Sequence, residues 1–157
     1  MKLQEPTPVV VGGNNFYIRP FSAFTAANIS GEVVKVIVPL LGSILPLMNS
    51  KDDVSSVLDE DIKEIAPEIA KGFESLSGDA CEILLRRLLV KHGNIAVDTE
   101  GQAVPLTEDL VNELFCGEVQ DMYILAFHVI KVNYGGFFKK LGGQSGKVAE
   151  LLQKTAK

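Results

Sequence analysis

Apolar and polar positions fall into distinct registers along the chain, and each register predicts an element. Val9-Val10-Val11 and Phe16-Tyr17-Ile18 flank Gly12-Gly13-Asn14-Asn15. This pattern predicts two short strands around a tight turn, because Gly and Asn tolerate the positive φ angles such turns demand. Pro20 has no N–H to give a ladder and ends the second strand. Ser22 to Asn28 fits a short helix, and Ser30 fits the N-cap of another with Glu32 in its first turn. Val33-Val34-Lys35-Val36-Ile37-Val38 is β-branched and fits a strand as well as a helix. Pro39, Gly42 and Pro46 predict interruption of any helix over 30–48. Asn49 to Ser56 reads as loop. Ile62, Ile65, Ala66, Ile69, Phe73 and Leu76 then share one helical face, opposite Glu60, Asp61, Lys63, Glu64, Glu68 and Lys71. Pro67 predicts a kink or split in that helix.

Ser77 opens a clearer helix. It caps, Asp79 sits in the first turn, and Glu82 faces Arg86 one turn on. Cys81, Leu84, Leu85, Leu88 and Leu89 form the buried stripe, and Gly93 terminates the segment. Ile95-Ala96-Val97 and Gln102-Ala103-Val104 predict a second hairpin around the acidic turn Asp98-Thr99-Glu100-Gly101. Thr107 caps a helix whose apolar side is Leu110, Val111, Leu114 and Phe115, and Gly117 breaks or bends it. Val119 to Val132 is the strongest helix: between Met122 and Ile130 only Tyr123 and His128 carry side-chain polar groups. Such a helix belongs at the centre of a core or at an interface. Gly135-Gly136 is expected to end it. Gly142-Gly143-Gln144-Ser145-Gly146 reads as a flexible linker, and Lys147 to Ala156 as a helix too short to stand alone in water. The predicted architecture is an α+β fold, predominantly α-helical, with two short β-hairpins and a flexible C-terminal tail: one domain over 1–140 and a tail over 141–157.

Composition narrows the class. The 157 residues are 46% hydrophobic and 22% charged, which excludes overall disorder. The net charge of -5 opposes binding to a phosphate backbone through the whole surface. The charge is split. Lys51 to Asp79 holds nine acids and three lysines, a net of -6, whereas Lys131 to Lys157 holds six lysines and one Glu, a net of +5. No apolar run follows the basic residue in Met1-Lys2-Leu3-Gln4-Glu5-Pro6, so no signal peptide is expected. The uncharged stretch Val36 to Met48 is shorter than the roughly 20 residues a membrane span needs, and contains Pro39 and Pro46, so it is expected to be buried instead. Cys81 and Cys116 cannot build a disulfide framework and are expected to be free thiols in a cytoplasm. Without secretion, the acceptor pattern Asn28-Ile29-Ser30 carries no meaning.

Candidate chemistries mostly fail on spacing. Along a helix, Cys81 and His92 lie roughly 16 Å apart and Cys116 and His128 roughly 18 Å apart. Neither pair can share a metal ion at bond lengths of about 2 Å. Gly142 to Lys147 imitates a phosphate loop, but Leu141 stands where the first Gly belongs and Val148 where a hydroxyl belongs. Glu60, Glu64 and Glu68 form a carboxylate stripe opposite the apolar face, which reads as solvated surface. A thiol–imidazole pair from Cys116 or Cys81 with His128 or His92 would require folding together, and Cys116 beside Phe115 and His128 in an apolar helix fit structural roles better. Phe137 and Phe138 beside Lys139 and Lys140 could stack on bases, yet fit protein contact at least as well. No cofactor is expected.

Two stretches carry a family resemblance. The run Leu106-Thr107-Glu108-Asp109-Leu110 through Tyr123-Ile124-Leu125-Ala126-Phe127 continues into Val129-Ile130-Lys131-Val132-Asn133-Tyr134-Gly135-Gly136-Phe137-Phe138. It resembles the C-terminal signature of tail assembly chaperones from long noncontractile-tailed phages. Tyr17-Ile18-Arg19-Pro20-Phe21, with Ala26-Ala27-Asn28-Ile29-Ser30-Gly31-Glu32, resembles their N-terminal signature, and Pro39-Leu40-Leu41-Gly42 and Leu76-Ser77-Gly78 also match. The resemblance spans most of 16–140. It implies a non-catalytic helper that escorts the tape-measure protein until tail-tube subunits polymerise, then leaves. The helper would act in the cytoplasm of the bacterial host and be absent from the mature virion. Many such families add a frameshifted extension that engages tail-tube protein, and Phe137-Phe138-Lys139-Lys140 lie where it would begin. The expected partners are therefore the tape-measure protein, tail-tube protein and further copies of the chain, with no nucleic acid and no membrane. An escort should present apolar surface framed by charge. Met122, Tyr123 and Phe127 on the over-apolar helix are one candidate surface, with its place as central core helix the competing reading. Phe137, Phe138, Lys139 and Lys140 are the other candidate. The alternative functions are a virion structural subunit, such as a head–tail connector or tail terminator, and a cysteine enzyme.

Overall fold

The computed structural model describes residues 5–44, 62 and 64–142, the side chains of 44 and 137–142 excepted. The predicted hairpins both form and pair with each other. Strands β1 (Thr7–Val11), β2 (Asn14–Ile18), β3 (Ile95–Thr99) and β4 (Gln102–Pro105) make one antiparallel sheet in the order β1-β2-β3-β4. Gly12 and Gly13 take φ of +58° and +80°, and Glu100 and Gly101 take +49° and +83°. Two consecutive left-handed residues twist a two-residue turn the way the strands require. The second turn is thus narrower than predicted, and Asp98 and Thr99 belong to β3. Phe16 opposite Val97 and Ile18 opposite Ile95 join the hairpins. These four side chains are buried on the inner face, while Tyr17 and Ala96 alternate to the outer face. There the Tyr17 hydroxyl donates to Asp98 Oδ2 at 2.8 Å. That bond, and the charge of Asp98, push the phenol above its ordinary pKa.

Helix α1 (Ala23–Ile44) replaces the two elements expected over 22–48. Ser22 caps it, accepting from the Thr25 N–H at 3.3 Å. Ser30 is no cap: it lies within the helix and donates to the Ala27 carbonyl at 2.7 Å. The β-branched run 33–38 is helical because Ile29, Val33, Val36, Ile37, Leu40 and Leu41 form one buried stripe, and tertiary packing overrides weak local preference. Pro39 does not interrupt the helix. It deprives the Lys35 carbonyl of its helical donor. The Ser75 hydroxyl stands 3.5 Å from that carbonyl, although its shorter bond, at 2.7 Å, goes to Gly72. By length and hydropathy, Ala23–Ser43 could cross a membrane. Its buried stripe packs instead on the rest of the core, and Glu32 and Lys35 pair at 3.4 Å on its surface.

Helix α2 (Ala66–Glu74) carries Pro67 in its first turn, where a proline lacks only an N–H that has no helical partner. Helix α3 (Gly78–Leu89) is capped by Ser77 and buries Cys81, Leu84, Leu85, Leu88 and Leu89, as the stripe predicted. Helix α4 (Glu108–Phe115) is capped by Thr107, whose side chain accepts from the Leu110 N–H. Helix α5 (Val119–Gly142) does not stop at Gly135-Gly136. It kinks one residue earlier, at Tyr134 (φ -123°, ψ 20°), and its backbone continues to Gly142. The kink is fastened to α1: Asn133 Oδ1 accepts from the Phe21 N–H at 2.8 Å, and Tyr134 donates to the Ala26 carbonyl at 2.6 Å. The loop expected over 49–56, the tail beyond 142 and the short helix expected over 147–156 lie outside the described residues.

The core lies between the inner sheet face and the helices, with Leu125, Ala126, Phe127, Val129 and Ile130 of α5 fully buried. Helix α5 packs against α2, α3, α4 and β1, while α1 packs against α2 and α3. Helices α1 and α2 cross closely at Gly72, where an added Cβ would stand 2.8 Å from the Val36 carbonyl oxygen and 3.1 Å from Val36 Cγ1. Backbone cannot yield there as a flexible side chain would. Gly72→Ala is therefore expected to destabilise the protein by about 1–3 kcal/mol, the usual cost of overpacking. Urea unfolding of the two proteins measures it, and an unchanged midpoint would mean that α2 does not approach α1 this closely.

Candidate functional site

An open cleft of about 490 Å³ lies among α2, α3, α4 and the start of α5. Its floor follows from helical periodicity. Cys81, Leu85 and Leu89 repeat every four residues on α3, so one row lines the cleft. Phe73 closes the α2 side and stacks on Tyr123 of α5, with ring centroids 5.1 Å apart and planes 6° from parallel. Met122 adds a flexible apolar side chain, a type suited to irregular partners. Helix α4 supplies Val111, which is only half-buried.

Charge frames the opening. Glu74, Glu82 and Glu108 line it together with Arg86. Arg86 bonds Glu108 at 2.9 Å, tying α3 to α4, and reaches Glu82 at 3.9 Å. These side chains are half exposed or more, so solvent screens both pairs and they add little to stability. They set the position of α4 more than overall stability. Among the described residues the rim stays acidic, three carboxylates against one guanidinium.

Met122 and Tyr123 thus sit together in the cleft, as two of the residues singled out from the sequence. Phe127 does not join them: it is fully buried in the core. The backbone of 137–140 lies past the kink, on the far side of Tyr134 from Tyr123. The side chains of Phe137, Phe138, Lys139 and Lys140 lie outside the described residues. Sequence reasoning missed the opposite walls, Phe73, Leu85, Arg86–Glu108 and Val111. A separate apolar surface runs along the outside of α1, where Phe24 is 90% and Val34 45% exposed.

The cleft is poor in reactive chemistry. Cys81 is buried and hydrogen-bonded to Tyr123; burial raises its thiol pKa, an effect the Tyr123 bond partly offsets. A thiol held protonated is a weak nucleophile. Cys116 does not sit in apolar surroundings as expected but is exposed at the end of α4. His92 packs edge-on against Phe21 at 5.5 Å. Burial, with a smaller effect from Lys131, lowers the His128 pKa to about 4. Among the described residues no group of three His, Cys, Asp or Glu side chains could hold a metal.

A sequence model of the family described as "Phage tail assembly chaperone protein, TAC" matches residues 12–146. The match takes in the whole cleft. Comparison with curated proteins and with solved structures finds no match.

His128 supplies a pH test. Its folded pKa lies below the ordinary 6.5, so the unfolded chain binds the extra proton between the two values. Its contribution is fully present above pH 6.5 and is lost as pH falls toward 4. The loss is at most on the order of 3 kcal/mol. Urea unfolding at pH 7 and pH 4.5 is expected to show this acid loss in the wild type and a flatter profile in His128→Leu. Equal slopes would mean that the imidazole is solvated.

Proposed function

The chain belongs to the phage tail assembly chaperone family, and from that premise we propose that it is a non-catalytic escort of the tape-measure protein, holding it in the α2–α5 cleft. The supporting observation is the cleft itself: an apolar floor that includes Met122, Tyr123 and Leu85, inside a rim of Glu74, Glu82, Glu108 and Arg86. This is the form in which a groove accepts an amphipathic helix, with apolar anchors entering at helical spacing. The acidic rim favours basic residues flanking those anchors. An open groove releases its ligand when tube subunits cover the same apolar surface, which is what an assembly helper must allow. Tail-tube protein and further copies of the chain are the additional partners of this reading, and the outside of α1 around Phe24 and Val34 is the surface left for them. The helper acts in the cytoplasm of the bacterial host and is absent from the mature virion.

Co-expression with the tape-measure protein of the same genome tests this reading. The wild type is expected to keep the tape measure soluble and to co-purify with it. Met122→Lys is expected to lose both while keeping its unfolding free energy in urea within about 1 kcal/mol of the wild type, since Met122 is only half-buried. Binding should also slow thiol labelling of Cys81 but not of the exposed Cys116. Full rescue by Met122→Lys, or the chain itself in purified virions, would overturn the proposal.

A further inference from the structure

The sheet carries a second concave surface, sharing no residue with the cleft above. The β2–β3 ladder runs one pair beyond its strands, because the Arg19 N–H donates to the Asn94 carbonyl at 2.8 Å. By alternation, Arg19 and Asn94 follow Tyr17 and Ala96 on the outer side. Two clefts, of about 410 and 470 Å³, meet at Arg19, Gly93 and Asn94. One runs on past Phe21 and His92, the other over Ala96 and Pro105. An added Cβ at Gly93 would point into open space, so the shared wall is bare backbone at that position.

Asn94 is the one buried polar side chain among the described residues, at 6% exposure. Neither its Oδ1 nor its Nδ2 has a hydrogen-bond partner. Buried carboxamides are almost always paired, and this one, closed to solvent in the free chain, would present a donor and an acceptor side by side on turning into the clefts. An extended peptide presents the matching pair, the C=O and N–H of a single residue, along one edge. Arg19 is exposed and, among the described residues, is the only Lys, Arg, Asp or Glu side chain lining either cleft. A carboxylate on the ligand would therefore meet a cation and no competing acid.

We propose that these adjoining clefts form one channel for an extended, acidic segment of a partner polypeptide, Asn94 pairing with its backbone and Arg19 with its carboxylate. The proposal rests on the escort reading only in taking the ligand to be polypeptide. It gives the chain two contact surfaces of opposite preference: a groove with an acidic rim for a helix, and a channel with a basic wall for an extended segment.

The test is an NMR titration of the full chain. The probes are a blocked five-residue peptide alternating threonine and valine about a central glutamate, its glutamine counterpart, and sodium acetate. The glutamate peptide is expected to shift the Asn94 side-chain amide resonances and to bind about fivefold more tightly than the glutamine peptide. Arg19→Met should erase that preference, and Asn94→Ala should weaken both peptides about tenfold. Arg19 is exposed, so its variant keeps the test valid if Asn94→Ala does not fold. Asn94 resonances unmoved by millimolar peptide, or moved equally by acetate, would overturn the proposal, the first by leaving the carboxamide to bound water and the second by reducing the site to an ion contact. No tape-measure protein enters this assay, so its failure leaves the escort reading standing, and failure of tape-measure rescue leaves this one.

Discussion

Leu125, Ala126, Phe127, Val129 and Ile130 lose all contact with solvent in the middle of α5. A helix that is apolar at consecutive positions has no single face to bury and must be surrounded. The remaining elements satisfy that demand from different sides: β1, α2, α3 and α4 all pack on α5. Phe16 of the sheet stacks on Phe115 of α4, with centroids 6.0 Å apart, which closes the layer. Where the apolar run ends, Asn133 and Tyr134 take up the backbone at the entry to α1. Helix α1 is thereby set at a fixed angle before its own stripe meets α2 at Gly72.

The cleft is what that arrangement leaves unfilled. Toward the start of α5 the burial fades, and Met122 and Tyr123 are only half covered. Helix α4 is too short to cover them, and the Arg86–Glu108 bond holds it to the rim. The same helix is thus core at Phe127 and surface at Met122, one turn apart. Such a graded element suits an escort: the deep part keeps the site rigid, while the shallow part offers apolar surface inside charge. Burial raises the pKa of Cys81, the thiol in that surface, which disfavours the thiolate.

Much of this was legible in the chain. Capping by Ser77 and Thr107, the stripe from Cys81 to Leu89 and both hairpins are local features, readable from neighbouring residues. The failures are all non-local. Ser30, Pro39 and the β-branched run 33–38 argue locally against one long helix, and the stripe from Ile29 to Leu41 overrides them because α2 and α3 lie against it. Pro67 reads as a kink or split, and α2 carries it in its first turn. Gly135-Gly136 was read as a stop, but the backbone change falls on Tyr134, whose hydroxyl is bound by α1. Of the site, Met122 and Tyr123 were legible from excess apolarity. Their facing walls on α2, α3 and α4 were not, because their convergence is a property of the packed fold. Asn94 carried no signal at all: a single Asn before a strand reads as a turn residue until its burial is seen.

The central claim is that the α2–α5 cleft holds the tape-measure protein. Hydrogen–deuterium exchange of the purified complex against the free chain tests it most directly, because it reports which backbone becomes protected without altering a residue. The account predicts new protection over 73–90 and 108–123, with the buried middle of α5 unchanged. Protection confined to other segments, such as the exposed face of α1, with the cleft exchanging as in the free chain, would contradict it.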